Sequence, residues 1–149
     1  MAWLLLDIGL RSLGDLNQWG QIFLVVNNQP SSIADAYALI KVLATQFGER
    51  KFKLLVNGLA YNREAESVCR TLLKVTERFL GHEISLDYLG LIPRDDAVPQ
   101  AVMKQQPVLT LYPQAPVSKS FVGLARDLWE SPPPSGIDGN IKLFWRRFL

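Results

Sequence analysis

The polar residues with the most scope for chemistry stand at the ends of apolar runs. Asp7 follows WLLL, Asn27 and Asn28 follow IFLVV, Asn57 follows FKLLV, and Pro93, Arg94 and Asp95 follow LDYLGLI. An Asn in such a place carries both a donor and an acceptor, the pair that suits the edge of a nucleotide base. It also satisfies its own backbone in a turn, and spacing alone leaves both readings open. The other candidates point to structure. His82 stands beside Gly81 with no second His or Cys nearby, which reads as a solvated or capping histidine rather than a metal ligand. Adjacent Asp95 and Asp96 suit the dipole of a helix start, and Ser118 and Ser120 have no positioned His to activate them. Cys69 is the only cysteine, so an intramolecular disulfide and a cysteine zinc cluster are both excluded.

These residues need elements to hold them. AWLLLDI (2–8), IFLVVN (22–27), FKLLVN (52–57), SLDYLGLI (85–92) and VLTLY (108–112) are short apolar runs that read as strands. Longer amphipathic segments separate them, the pattern of an α/β protein with a mostly parallel sheet flanked by helices. SSIADAYALIKVLATQFG spaces Ser32 and Asp35 as a capping box. It also lines Ile33, Ala36, Tyr37, Ile40, Leu43, Ala44 and Phe47 along one stripe, with Gly48 as the stop. A second helix, from about Arg63 to Leu80, places Ala65, Val68, Cys69, Leu72, Val75, Thr76 and Phe79 on one face. AVPQAVMKQQ and PVSKSFVGLARDLWE read as further helices, and Tyr37, Phe79 and Trp129 as core aromatics. In a parallel sheet of this kind ligands sit at the carboxyl ends of strands, where the polar residues above lie.

Composition narrows the class. Hydrophobic residues make up 48% of the 149 and charged residues 20%, which fits a folded domain with a substantial core. The net charge is +2, but Lys142, Arg146 and Arg147 place +3 in the last eleven residues, so the other 138 carry −1 (+2 less +3). A near-neutral body gives no electrostatic case for binding nucleic acid. MAWLLLDIG reads as a buried strand rather than a signal peptide, no window reaches the roughly 18 apolar residues of a membrane span, and the single cysteine suits a reducing cytosolic setting.

Taken in order, PSSIADAYALIKVL, KLLVNGL, VTERFLG and DYLGLIPRDDAVPQAVMKQQPVLTLYPQAPVSKSF strongly resemble the C-terminal half of the MinD/ParA group of ATPases. More narrowly, they resemble its flagellar-number regulators of the FlhG/FleN type. The resemblance runs over nearly the whole chain and implies part of a P-loop NTPase fold, with ATP or ADP and Mg²⁺ as cofactors. It matches Asp7 to the acidic residue after the Walker B strand, near Mg²⁺ and the attacking water. Asn57 matches the Asn that reads adenine, and Pro93 and Asp95 lie in the loop packed beside the base. Two departures stand out. Where the family reads roughly D-T-A-A-G, this chain has DIGLRS, and its sequence contains no Gly-Lys dipeptide of a phosphate-binding loop. This polypeptide alone is therefore not expected to hydrolyse ATP at a useful rate. In the family topology, residues 2–8 would also lack their central neighbour in the sheet.

The layout expected is a MinD-like α/β domain over 1–130, a proline-rich linker over 131–138 and a basic amphipathic helix over 139–149. On a helix, Ile141, Phe144, Trp145, Phe148 and Leu149 share one face, flanked by Lys142, Arg146 and Arg147. That face suits an anionic membrane surface or a partner, and equally a helix docked on its own domain. The resemblance implies a cytoplasmic regulator of flagellar number or placement, peripheral at the inner membrane and acting as a homodimer on flagellar assembly or transcription proteins. One alternative is an ATPase subunit or fragment whose phosphate loop comes from another segment or chain. Another is a DNA-partitioning protein of the ParA type, which the near-neutral body disfavours.

Overall fold

The computed structural model describes residues 3–6 and 22–130. Four strands form one sheet in chain order: β1 (Trp3–Leu6), β2 (Ile22–Val26), β3 (Lys51–Leu59) and β4 (Ser85–Pro93). β2, β3 and β4 run parallel, while β1 pairs antiparallel with β2, Trp3 opposite Val25 and Leu6 opposite Ile22. The parallel strands are joined by α1 (Pro30–Phe47) and α2 (Asn62–Leu80), and β4 is followed by α3 (Ala97–Met103), α4 (Val108–Leu111) and α5 (Pro116–Glu130). The α/β architecture read from the sequence is thus present. The first strand differs in that its described neighbour is β2, along the free edge of the parallel set.

Because each crossover moves the chain one strand further in the same direction, α1 and α2 lie on one face of the sheet. They cover Ile22, Leu24 and Val26 of β2 and Phe52, Leu54 and Val56 of β3, all buried, with Ala36, Ile40, Ala65, Val68 and Leu72 packed from the helices. Leu55 and Ile92 point to the opposite face, where Val108, Tyr112, Ala115, Val117 and Leu124 close a second, smaller cluster. Gly90, at φ 145°, lies where a Cβ would come within 3.4 Å of Leu124 Cδ2 of α5, a backbone conformation that favours glycine.

Three expectations are corrected. VLTLY is not a strand: Val108–Leu111 forms one helical turn, with the Thr110 and Leu111 amides donating to the Pro107 carbonyl. Proline on both sides confines the run to a single turn, and the i, i+4 pair Val108 and Tyr112 both reach the second cluster, a contact an extended segment would not make. The Ser32–Asp35 capping box does not form either. Pro30, with its φ preset, starts α1 three residues earlier behind Gln29, so Ser32 falls inside the first turn, fully buried, where its Oγ accepts the Asn27 amide at 3.2 Å. Finally, Phe79 and Trp129 are 63% and 91% exposed, and only Tyr37 of the three aromatics is half-buried against the core. The stops at Gly48 (φ 72°) and Gly81 (φ 85°) are as expected.

Candidate nucleotide-base site

The carboxyl ends of β2, β3 and β4 lie side by side because the three strands are parallel neighbours in the sheet. At β2, Asn27 is a turn residue: its Oδ1 accepts the Gln29 amide at 2.9 Å while its own amide donates to Ser32. Its side chain is committed to starting α1. Asn28 beside it is exposed.

β3 ends differently. The pairing with β4 slips between Asn57 and Leu59, where Gly58 adopts φ 78°. This bulge inserts a residue without a ladder partner and turns the strand end. Asn57 is exposed, and its side chain has no hydrogen-bond partner among the described residues, so its donor and acceptor both remain open to a ligand. No Cβ contact constrains Gly58, so its φ alone requires glycine.

The β4 end is fixed from both sides. The Arg94 amide donates to the Leu59 carbonyl at 3.0 Å, tying the loop to the bulge. Asp95 then accepts the Ala97 amide on Oδ1 at 2.9 Å and the Val117 amide on Oδ2 at 3.1 Å. One carboxylate thereby closes the first turn of α3 and the first turn of α5, where both sets of amides lack helical acceptors. Ser120 Oγ donates to the Leu91 carbonyl at 2.5 Å and Ser118 Oγ to the Val108 carbonyl at 3.4 Å, so both serines fasten α5. Pro93, half-buried, is held between these restraints.

The structure therefore brings Asn57, Pro93 and Asp95 together at one end of the sheet. Asp7 and the tail residues Ile141, Lys142, Phe144, Trp145, Arg146, Arg147, Phe148 and Leu149, like the linker, lie outside the described residues. The sequence reading passed over Gly58 and the Arg94–Leu59 bond. The Asn-Gly pair at a strand end was the available signal for the first, whereas a backbone bond between distant segments leaves no mark in residue types.

Other titratable groups take no part in this site. Burial, with a smaller contribution from Glu66, pushes the Cys69 thiol up to about 11. Burial likewise raises Tyr88 and Glu49. His82 is exposed, 3.7 Å from Glu77. Among the described residues no group of three or more His, Cys, Asp or Glu could hold a metal ion, and none of their helices is long and apolar enough to cross a membrane.

Three parallel strands and an antiparallel edge strand, with two helices on one face, make an α/β fold similar to that of MinD. The MinD cell division protein of Aquifex aeolicus superposes with a TM-score of 0.55 at 22% identity, over 75% of this chain and 44% of that one. The chain is MinD-like in fold, and its sequence likeness is to FleN. It is 36% identical over 129 residues to the antiactivator FleN of Pseudomonas aeruginosa, which spans 87% of this chain and 45% of FleN. The chain thus spans less than half the length of that curated relative. No protein-family model matches it.

Proposed function

We propose that this chain is the base-recognising and partner-binding portion of a FleN-like regulator of flagellar number. The observation that carries the nucleotide part is the free amide of Asn57 on a bulged strand end beside the Pro93 loop. Asn57 reads the adenine edge through its paired donor and acceptor, Pro93 packs beside the ring, and Asp95, whose oxygens already hold two backbone amides, positions the loop. The residues described fit a base and offer no metal cluster. Phosphate and Mg²⁺ chemistry, to which Asp7 would contribute, would draw on groups outside the described residues. Control of a partner follows the antiactivator description of FleN. The tail, through Trp145 and its apolar neighbours with Lys142, Arg146 and Arg147, attaches the protein peripherally to an anionic membrane.

Calorimetric titration tests the nucleotide part. Weak, Mg²⁺-independent ATP binding that Asn57→Ala removes is the expected result, and binding unaffected by that change refutes the base site. Micromolar, Mg²⁺-dependent binding would favour a second reading, a working ATPase completed by a phosphate loop from another segment or chain. For the tail, Trp145→Glu should abolish co-sedimentation with anionic liposomes, and unchanged binding rejects the membrane role.

A further inference from the structure

The solvent face of α2 has no role in the site above. Arg63, Arg70, Lys74 and Arg78 are all exposed on it. At 3.6 residues per turn they fall within roughly 80° of arc, and at 1.5 Å per residue they span about 22 Å. None of the four forms an ion pair among the described residues. Like charges at i, i+4, as in Arg70–Lys74–Arg78, weaken a helix, a cost that Glu66, four residues before Arg70, and Glu77, three after Lys74, offset in part. An exposed aromatic ring stands at each end. The Arg63 guanidinium lies 5.5 Å from the Tyr61 ring centre and that of Arg78 lies 5.3 Å from the Phe79 ring centre, with Tyr61 59% and Phe79 63% exposed. Stacking of this kind holds a guanidinium in place while its N–H edge remains free to donate.

We infer that this face of α2 is a docking surface for an acidic helical segment of a partner protein. Three observations select that occupant. Carboxylates at i, i+4 spacing on a partner helix repeat every 6 Å or so, the same step as Arg70, Lys74 and Arg78. Glu66 and Glu77 border one edge of the stripe, which repels a uniform polyanion such as a DNA backbone but accommodates a protein segment of mixed charge. The aromatic–arginine pairs at both ends supply the residue types that anchor protein interfaces. The chain's own tail, with three cations and no acid in its last eleven residues, has the wrong charge to occupy this face.

The test uses the full chain and a fluorescent, Ala-based helical peptide of about 18 residues, with Glu at the spacing of the four cations and Leu at each end. Anisotropy at about 0.15 M salt should show binding that the double change Arg70→Glu and Lys74→Glu weakens about tenfold or more. Reversal of two exposed cations elsewhere, Lys41→Glu and Lys119→Glu, should leave it unchanged. A peptide with Lys in place of Glu should in turn bind the Arg70→Glu/Lys74→Glu protein better than the wild type, which a misfolded variant could not do. Failure of the wild type to bind the Glu peptide, equal loss in the two double variants, or absence of the charge-swap rescue overturns the inference. So does a duplex DNA or a phosphatidylglycerol vesicle whose binding depends on Arg70 and Lys74 while that of the peptide does not.

Discussion

The Asp95 carboxylate holds two helices through amides 20 residues apart in the chain, those of Ala97 and Val117, and its removal should be felt in the whole C-terminal part of the domain. Each oxygen accepts one backbone amide, Ala97 at 2.9 Å and Val117 at 3.1 Å. A hydrogen bond to a charged group contributes about 1.5 to 3 kcal/mol. Asp95 is half-buried, so water can reach the freed amides, and the lower end of that range applies. Asp95→Ala loses both bonds and should destabilise by about 3 kcal/mol. Asp95→Asn keeps one acceptor but turns an NH₂ group toward the other amide, giving about 1.5 to 2 kcal/mol. At about 4 °C per kcal/mol for a body of this size, the melting temperature falls by roughly 12 °C and 6 to 8 °C respectively. Urea unfolding followed by circular dichroism measures both, the midpoint shifting at constant slope. If Asp95→Ala stays within about 0.5 kcal/mol of the wild type, or the Asn variant loses as much as the Ala variant, the two-bond clamp is refuted.

The remaining predictions concern the core and its edges. Thr76 is fully buried and its Oγ1 has no hydrogen-bond partner among the described residues, so Thr76→Val should raise stability by about 1 kcal/mol in the same urea assay, against the usual loss for a core change. Gly90→Ala forces a side chain into φ 145° against Leu124, and should cost about 1 to 3 kcal/mol and loosen α5 in hydrogen exchange. The Cys69 thiol, raised from 9.0 to about 11 in the folded protein, ionises first in the unfolded chain. Stability relative to Cys69→Ala should therefore be flat below pH 9 and decline as pH rises from about 9 to 11. Iodoacetamide at pH 8 should modify the folded thiol more than tenfold more slowly than the urea-unfolded one.

The parts legible in the sequence were those governed by local rules. The 3.6-residue stripes of α1 and α2, the glycine stops and the parallel arrangement of IFLVV, FKLLV and the run ending at Pro93 all follow from periodicity and alternation. VLTLY failed because a run of five residues is too short to carry a period, and the prolines at 107 and 113 were the overriding signal. Ser32 failed because Pro30 competes for the helix start and won. Phe79 and Trp129 lie on helical stripes, but a stripe is buried only where something covers it: Phe79 stands at the last turn of α2, with its ring centre 6.0 Å from that of Tyr37 on one side and solvent on the other. Asn27 and Asn57 are the clearest case. Both are Asn at the end of an apolar strand, and only the backbone that follows separates them. Pro30 draws Asn27 into a turn, whereas Gly58 releases Asn57 from one.

That difference also explains why the site depends on helices remote from it in sequence. The open end of β3 keeps its shape through the Arg94–Leu59 bond, and the Arg94 loop keeps its place through Asp95, whose second oxygen is held by α5. α5 is in turn tied to β4 by Ser120 on Leu91 and by Leu124 over Gly90. A ligand on Asn57 and Pro93, as proposed above, would therefore bear on a chain of restraints ending at α5, and a change in how α5 packs would alter the loop before it altered Asn57 itself. The parallel strands fix where the residues stand. The bulge and the carboxylate clamp decide which of them remain free to bind.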